Sequence, residues 1–219
     1  MKKRSARMGA FTIIEALIVT IIVLLCMIII LTRPRRMIAT TNACINNLRQ
    51  IDAAFQVFAL EHSDRFPWQC SVTNSGTLEL VGSESPVPHF QAVSIYLKSF
   101  DALICPVDKG RQAGTDSTSI SNRNISYFIS TEAKPDRPNL ILAGDRNLEI
   151  AGRPVKPGSF VLTTNASLGW SSGLHSKHSR ERRGNILFTD SLHIEATPMT
   201  DLAVVVMRQG LATNRLVFP

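Results

Sequence analysis

None of the four cysteines forms a CxxC pair, and the chain has no HExxH, no nucleophile elbow, no phosphate-binding glycine loop and no HxE with PCxxC. These absences argue against a dithiol redox enzyme, a zinc ribbon, a zincin-type protease, an α/β-hydrolase, a P-loop nucleotide enzyme and a zinc deaminase. Internal repeats and low-complexity tracts are missing too. A basic face is also lacking, although Lys+Arg number 24 against Asp+Glu 17. Residues 1–36 alone carry Lys2, Lys3, Arg4, Arg7, Arg33, Arg35 and Arg36 against Glu15, which leaves 17 basic and 16 acidic side chains for residues 37–219. The charge therefore flanks one N-terminal segment, and no nucleic-acid partner is expected. At 219 residues and 44% hydrophobic content, the chain is neither disordered nor a multi-pass membrane protein. It reads as one globular domain with an appendage.

Charge is almost absent from Phe11 to Leu31, FTIIEALIVTIIVLLCMIIIL, where Glu15 is the single ionisable carboxylate in 21 residues. Such a run makes about 31 Å of helix, close to the roughly 30 Å hydrocarbon thickness of a bilayer. It is longer than a signal-peptide core and is followed by Thr32-Arg33-Pro34-Arg35-Arg36, a poor cleavage site for that peptidase. Four basic residues precede the run and three follow it, a balance that points to a cytoplasmic N-terminus and an exported C-terminus. Cys26 serves there as a small apolar residue. A carboxylate within such a helix costs up to about 3 kcal/mol on insertion scales, so Glu15 marks a function or a partner.

The phrase Gly9-Ala10-Phe11-Thr12-Ile13-Ile14-Glu15 after a short basic leader resembles the class III signal of type IV pilins and type II secretion pseudopilins. The resemblance implies cleavage by prepilin peptidase between Ala10 and Phe11, with Ala10 standing where glycine is usual, and methylation of the new Phe11 amine. It also implies that Glu15 meets the Phe11 amine of a neighbouring subunit during assembly. Two opposite charges in a low-dielectric medium cost less together than apart, so the pair sets axial register.

Beyond the run, Pro34 is expected to break or kink the helix, which resumes from about Met37 to Glu61. Ile38, Ile45, Leu48, Ile51, Phe55 and Phe58 recur there at steps of three or four, with polar residues between them. That is one apolar stripe, suited to lie on a sheet. His62 to Pro67 ends the helix. Residues 71–88 read as loop with one short strand, and residues 90–100 as a short helix. Strands are expected at 102–105, 125–129, 139–143, 159–163, 184–188 and 192–195, the last two joined as a hairpin through Thr189-Asp190-Ser191. The Gly-Asp-Arg-Asn phrase at 144–147 reads as a turn. The divisions are a leader at 1–10, a transmembrane helix at 11–32, its amphipathic continuation at 33–66 and a globular head at 67–219. The fold class is α+β: a long N-terminal helix packed on a small antiparallel sheet, as in pilins.

The head carries a second resemblance. Residues 43–67 (ACINNLRQIDAAFQVFALEHSDRFP), ICPVDKGRQ at 104–112, NISYFIS at 124–130, LILAGDRN at 140–147, GNILFTDSLHIE at 184–195 and NRLVFP at 214–219 look like pilin-like proteins of Planctomycetes and Verrucomicrobia. Ser191 stands where those relatives carry glycine. Cys44 and Cys105 both sit in such phrases, which favours a Cys44–Cys105 disulfide in an oxidising periplasm, with Cys70–Cys105 and an all-reduced state as alternatives.

Other constellations read more blandly. His175 and His178 are three apart in SSGLHSKHSRERRG, with Asp190 and His193 further on, but a solvated basic loop accounts for them better than a metal or hydrolase site. Asp108, Asp145 and Asp190 offer oxygens for calcium, as major pseudopilins do in kind, without any EF-hand spacing. No catalytic residue, metal or cofactor is assigned. The resemblances together imply a non-enzymatic subunit of the inner membrane, with its head in the periplasm. Its partners are prepilin peptidase, other pilin-like subunits and their assembly machinery, and its products are homo- or hetero-polymeric filaments of pilus or type II secretion kind. The alternative is a monomeric membrane-tethered binding or enzymatic domain built around His175, His178 and Asp190.

Overall fold

The computed structural model describes residues 12–163, 166–172, 174–175, 182–190, 194–198 and 213–219, with side chains omitted at 30–41 and 194–198. The leader, Ala10, Phe11, Ser176–Arg180 with His178, and Ser191–His193 fall outside the described residues. The chain divides into two compact units, residues 1–39 and residues 40–219.

In the first unit, helix α1 (Ile13–Glu61) begins, and every described side chain from Thr12 to Ile29 is exposed. Among the described residues no helix is long and apolar enough to cross a membrane. The run expected to span, 11–32, reaches beyond them at Phe11 and at the side chains of 30–32. The helix is not interrupted at Pro34, where a break or kink was expected. The proline's missing donor and the clash of its ring with the carbonyl four residues back cost about 3 kcal/mol, which the hydrogen bonds of the other turns of this 49-residue helix offset.

In the second unit the end of α1 carries the stripe. Cys44, Leu48, Ile51, Phe55 and Phe58 are all fully buried, whereas Leu60 and Val57 on other faces are exposed. Six antiparallel strands form the main sheet: β1 (Tyr127–Ser130), β2 (Ile141–Asp145), β5 (Gly158–Thr163), β7 (Arg183–Phe188), β8 (Ile194–Pro198) and β9 (Thr213–Phe218). Their order is β5-β9-β1-β2-β7-β8. A three-stranded sheet of β3 (Leu148–Ile150), β4 (Arg153–Pro154) and β6 (Leu168–Trp170), in the order β4-β3-β6, completes the fold. The class is α+β with an antiparallel sheet.

Strand side chains alternate between two apolar clusters, because successive residues point to opposite faces. Tyr127, Ile129, Leu187 and Val217 join the α1 stripe and the aromatic group of Phe55, Phe66, Trp68 and Phe90. Phe128, Ile186, Leu216 and Phe218 face the opposite cluster with Leu162 and Trp170. With both faces covered, the central strands are buried residue after residue.

Several local expectations are corrected. Residues 102–105 are not a strand: a 3-10 turn occupies Phe100–Leu103, started by Ser99, whose hydroxyl accepts from the Asp101 amide at 3.1 Å. Such side-chain bonds outcompete a ladder locally. The short helix α2 is Val87–Ala92, followed by a 3-10 turn at Ser94–Tyr96. Pro88 lies in its first turn, where a missing donor costs nothing. Residues 71–88 hold 3-10 turns and the start of α2, and no strand.

Candidate functional site

Three neighbouring strands bring polar side chains to one rung of the helix-facing side. Tyr127 on β1 pairs with Asp145 on β2. Gly144 pairs with Ile186, so one step further sets Asp145 opposite Asn185 on β7. The register of β2 against β7 shifts between Ile141 and Ala143. Counting by twos from Ile141, which belongs to the far cluster, would turn Asp145 away from α1. The bulge resets the count, and Ala143 instead joins the cluster around the α1 stripe.

Against this rung lies a disulfide. Cys44 of α1 and Cys105 are bonded, with Cα atoms 5.2 Å apart and both residues fully buried. Cys70 is free and buried, and Cys26 is free and exposed. Polar contacts hold the Cys105 segment in place. Asn47 Nδ2, one turn along α1 from Cys44, donates to the Ile104 carbonyl at 2.7 Å. The Ser126 amide donates to the Leu103 carbonyl at 2.8 Å. Arg146 grips Asp108 with two hydrogen bonds, Nε to Oδ2 at 2.7 Å and Nη2 to Oδ1 at 2.8 Å, while Ser126 Oγ donates to Oδ2 at 3.0 Å. Burial pushes the Asp108 carboxyl up, but Arg146, Ser126 and Arg111 outweigh it and hold it below the usual carboxylate range. Asp108 thus fastens the segment after Cys105 to the residue after Asp145.

His175 closes the site. Its side chain is 6% exposed, and its Nε2 lies 3.1 Å from Asp145 Oδ2, 3.3 Å from Asn185 Nδ2 and 3.6 Å from Cys105 Sγ. The reading of His175 as part of a solvated loop is therefore corrected, because Asp145 supplies a buried partner. Asp145 Oδ2 also accepts from the Asn185 amide at 2.6 Å and from Asn185 Nδ2 at 2.8 Å, while Oδ1 is buried without a hydrogen-bond partner among the described residues. Burial pulls the His175 pKa down, but the hydrogen bond and charge of Asp145 more than offset it and hold it above the ordinary value. Burial and the Asp145 charge raise the Tyr127 hydroxyl well above its usual range.

The arrangement does not make a nucleophilic relay. Asp145 and the cysteine sulfur meet the same imidazole nitrogen, whereas a relay uses one nitrogen for each. Among the described residues, one group of three metal-type ligands gathers: Cys44, Cys105 and His175, with ligand atoms within 4.8 Å of one another and both sulfurs engaged in the disulfide. Asp108, Asp145 and Asp190 form no such group, since Asp108 belongs to Arg146 and Asp145 to His175 and Asn185. The Gly144–Asn147 phrase is a strand end and not simply a turn, and it carries Asp145 into the site. Sequence reading passed over Tyr127 and Asn185, and the signal for them was a polar residue next to an apolar strand run in NISYFIS and GNILF. Glu15 stands exposed in the first turn of α1. Compared with known proteins, the chain matches no family model, no curated protein and no solved structure.

Proposed function

We infer that this chain is a structural subunit, a type IV pilin-like protein or pseudopilin, and not an enzyme. In this reading prepilin peptidase cuts between Ala10 and Phe11, residues 11–32 hold the chain in the inner membrane, and the head stands in the periplasm. Other pilin-like subunits and their assembly machinery then build it into a pilus-like or type II secretion filament. The supporting observation is the division of labour along α1. Its first part exposes a run of apolar side chains with one carboxylate, Glu15, and its last part buries a stripe in the core of the head. A helix that only tethered a domain would have no use for Glu15, whereas an assembling subunit uses it to select a neighbour's amine.

The test is intact mass and N-terminal sequencing of the protein co-expressed with a prepilin peptidase, beside Glu15→Ala. Expected are a mature chain beginning at methylated Phe11 and a variant that is still cleaved but no longer cross-links into multimers. A chain that keeps residues 1–10 sinks the reading. The second reading, a membrane-tethered binding domain, draws on the buried Asp145–His175 pair. It predicts that Glu15→Ala changes nothing.

A further inference from the structure

We propose that, once the Cys44–Cys105 disulfide is reduced, the two thiolates and His175 Nε2 form a three-ligand site for a zinc-class divalent cation, with the Asp145 carboxylate beside the imidazole. The inference is independent of the filament reading.

Three observations carry it. First, the donors are already assembled. Cys44 Sγ, Cys105 Sγ and His175 Nε2 lie within 4.8 Å of one another, and the 3.6 Å from Nε2 to Cys105 Sγ is close to the S···N edge of about 3.5 Å implied by Zn–S and Zn–N bonds of about 2.3 and 2.0 Å. Second, the site is set against a buried carboxylate. Asn185 holds Asp145 Oδ2 through its amide and its side chain, and among the described residues Oδ1 is buried with no partner. A buried carboxylate oxygen without a donor is costly, and a cation bound at the neighbouring His175 offsets that cost by its charge. Third, the donor set is diagnostic. Two thiolates and an imidazole suit a borderline-soft ion and do not suit calcium, which takes oxygens. Both cysteines are fully buried, and the His175 side chain is 6% exposed.

The chemistry balances as a dithiol exchange followed by metal binding. A small dithiol attacks one sulfur of the bridge, and the other leaves as a thiolate. The second thiol of the reductant then releases the first sulfur, and the reductant departs as its own disulfide. The reductant's two thiol protons go to solvent and the cysteines remain as thiolates, the Nε2 proton shared with Asp145 Oδ2 leaves or moves to Nδ1, and the ion binds in its place. The sulfurs draw apart to about 3.8 Å, the S···S edge of the same tetrahedron. In either redox state α1 stays tied to the Cys105 segment, by a covalent bond in one and by the ion in the other.

The full chain in detergent, reduced with dithiothreitol and desalted, is titrated with Co²⁺. Expected are one equivalent bound with thiolate-to-cobalt charge-transfer absorption, displacement by one equivalent of Zn²⁺, and no binding to the disulfide form. Cys70→Ser leaves the result unchanged. His175→Ala and Asp145→Asn each weaken binding at least tenfold while the charge-transfer band persists. Absence of the band in reduced protein of native circular dichroism overturns the proposal, as does affinity indifferent to His175→Ala. A readout free of variants is thiol alkylation followed by mass spectrometry. Zn²⁺ slows modification of Cys44 and Cys105 at least tenfold and leaves Cys70 unaffected, and equal rates with and without Zn²⁺ overturn the proposal.

Discussion

A methyl group at Gly144 has no room. A Cβ there would stand 2.7 Å from the Phe128 ring and 2.9 Å from the Asn185 carbonyl oxygen, and a backbone atom in a central strand does not yield. Gly144→Ala is expected to cost about 1–3 kcal/mol in urea unfolding, as overpacking does. The same change would disturb Asp145, the next residue. His89 illustrates another single-residue effect. It is fully buried, its Nδ1 lies 2.6 Å from Thr77 Oγ1, and its Nε2 has no hydrogen-bond partner among the described residues. Burial lowers its pKa from 6.5 to about 4. The folded state therefore binds the proton less readily than the unfolded chain. The stability from a neutral His89 is complete above about pH 6.5 and is lost as pH falls toward 4, by up to about 3 kcal/mol. Urea midpoints measured from pH 7.5 to 4 should fall over that window, and His89→Gln should flatten the decline.

Among the elements, α1 and the central strands were legible because their periods are. The three-to-four spacing of Ile38, Ile45, Leu48, Ile51, Phe55 and Phe58 predicts a one-faced helix; the last four are buried in the cluster shared with the sheet, Ile45 is half-buried, and the side chain of Ile38 lies outside the described residues. Strands β1, β2 and β7 carry unbroken apolar runs, which fits a sheet covered on both faces, whereas β5 lies at the edge and leaves Val161 exposed. By contrast, β3, β4 and β6 are two or three residues long and exist through their partners, beyond the reach of local pattern. The NRLVFP tail forms β9, near the middle of the sheet, a placement set by long-range pairing with β5 and β1. The site was less legible still. A polar loop sequence does not say where it lands, and His175 becomes buried only because a bulge in β2 turns Asp145 toward α1. The bridge between α1 and the Cys105 segment closes a loop across a sequence separation of 61. Replacing both cysteines by serine should lower unfolding free energy by about 4 kcal/mol under oxidising conditions, on the chain-entropy account. Denaturant titration with and without reductant checks it.

At the scale of the whole molecule, both apolar clusters draw on residues from Cys44 onward. A chain lacking residues 1–39 is expected to keep the unfolding free energy of the full protein within about 0.5 kcal/mol, because no buried core residue among the described ones is removed. On the proposed filament reading, the same truncation abolishes multimers, since Glu15 and the apolar run go with it. Gel filtration and chemical denaturation of the two forms decide both points. The disulfide has a further, mechanical consequence. A pull applied between the start of α1 and the C-terminus passes from Cys44 directly to Cys105, so the segment between them bears no load. At about 3.4 Å per residue, the bridge keeps about 200 Å of contour length hidden under tension. A stretched oxidised head should extend short of its full length by that amount, and reduction should release it in one step.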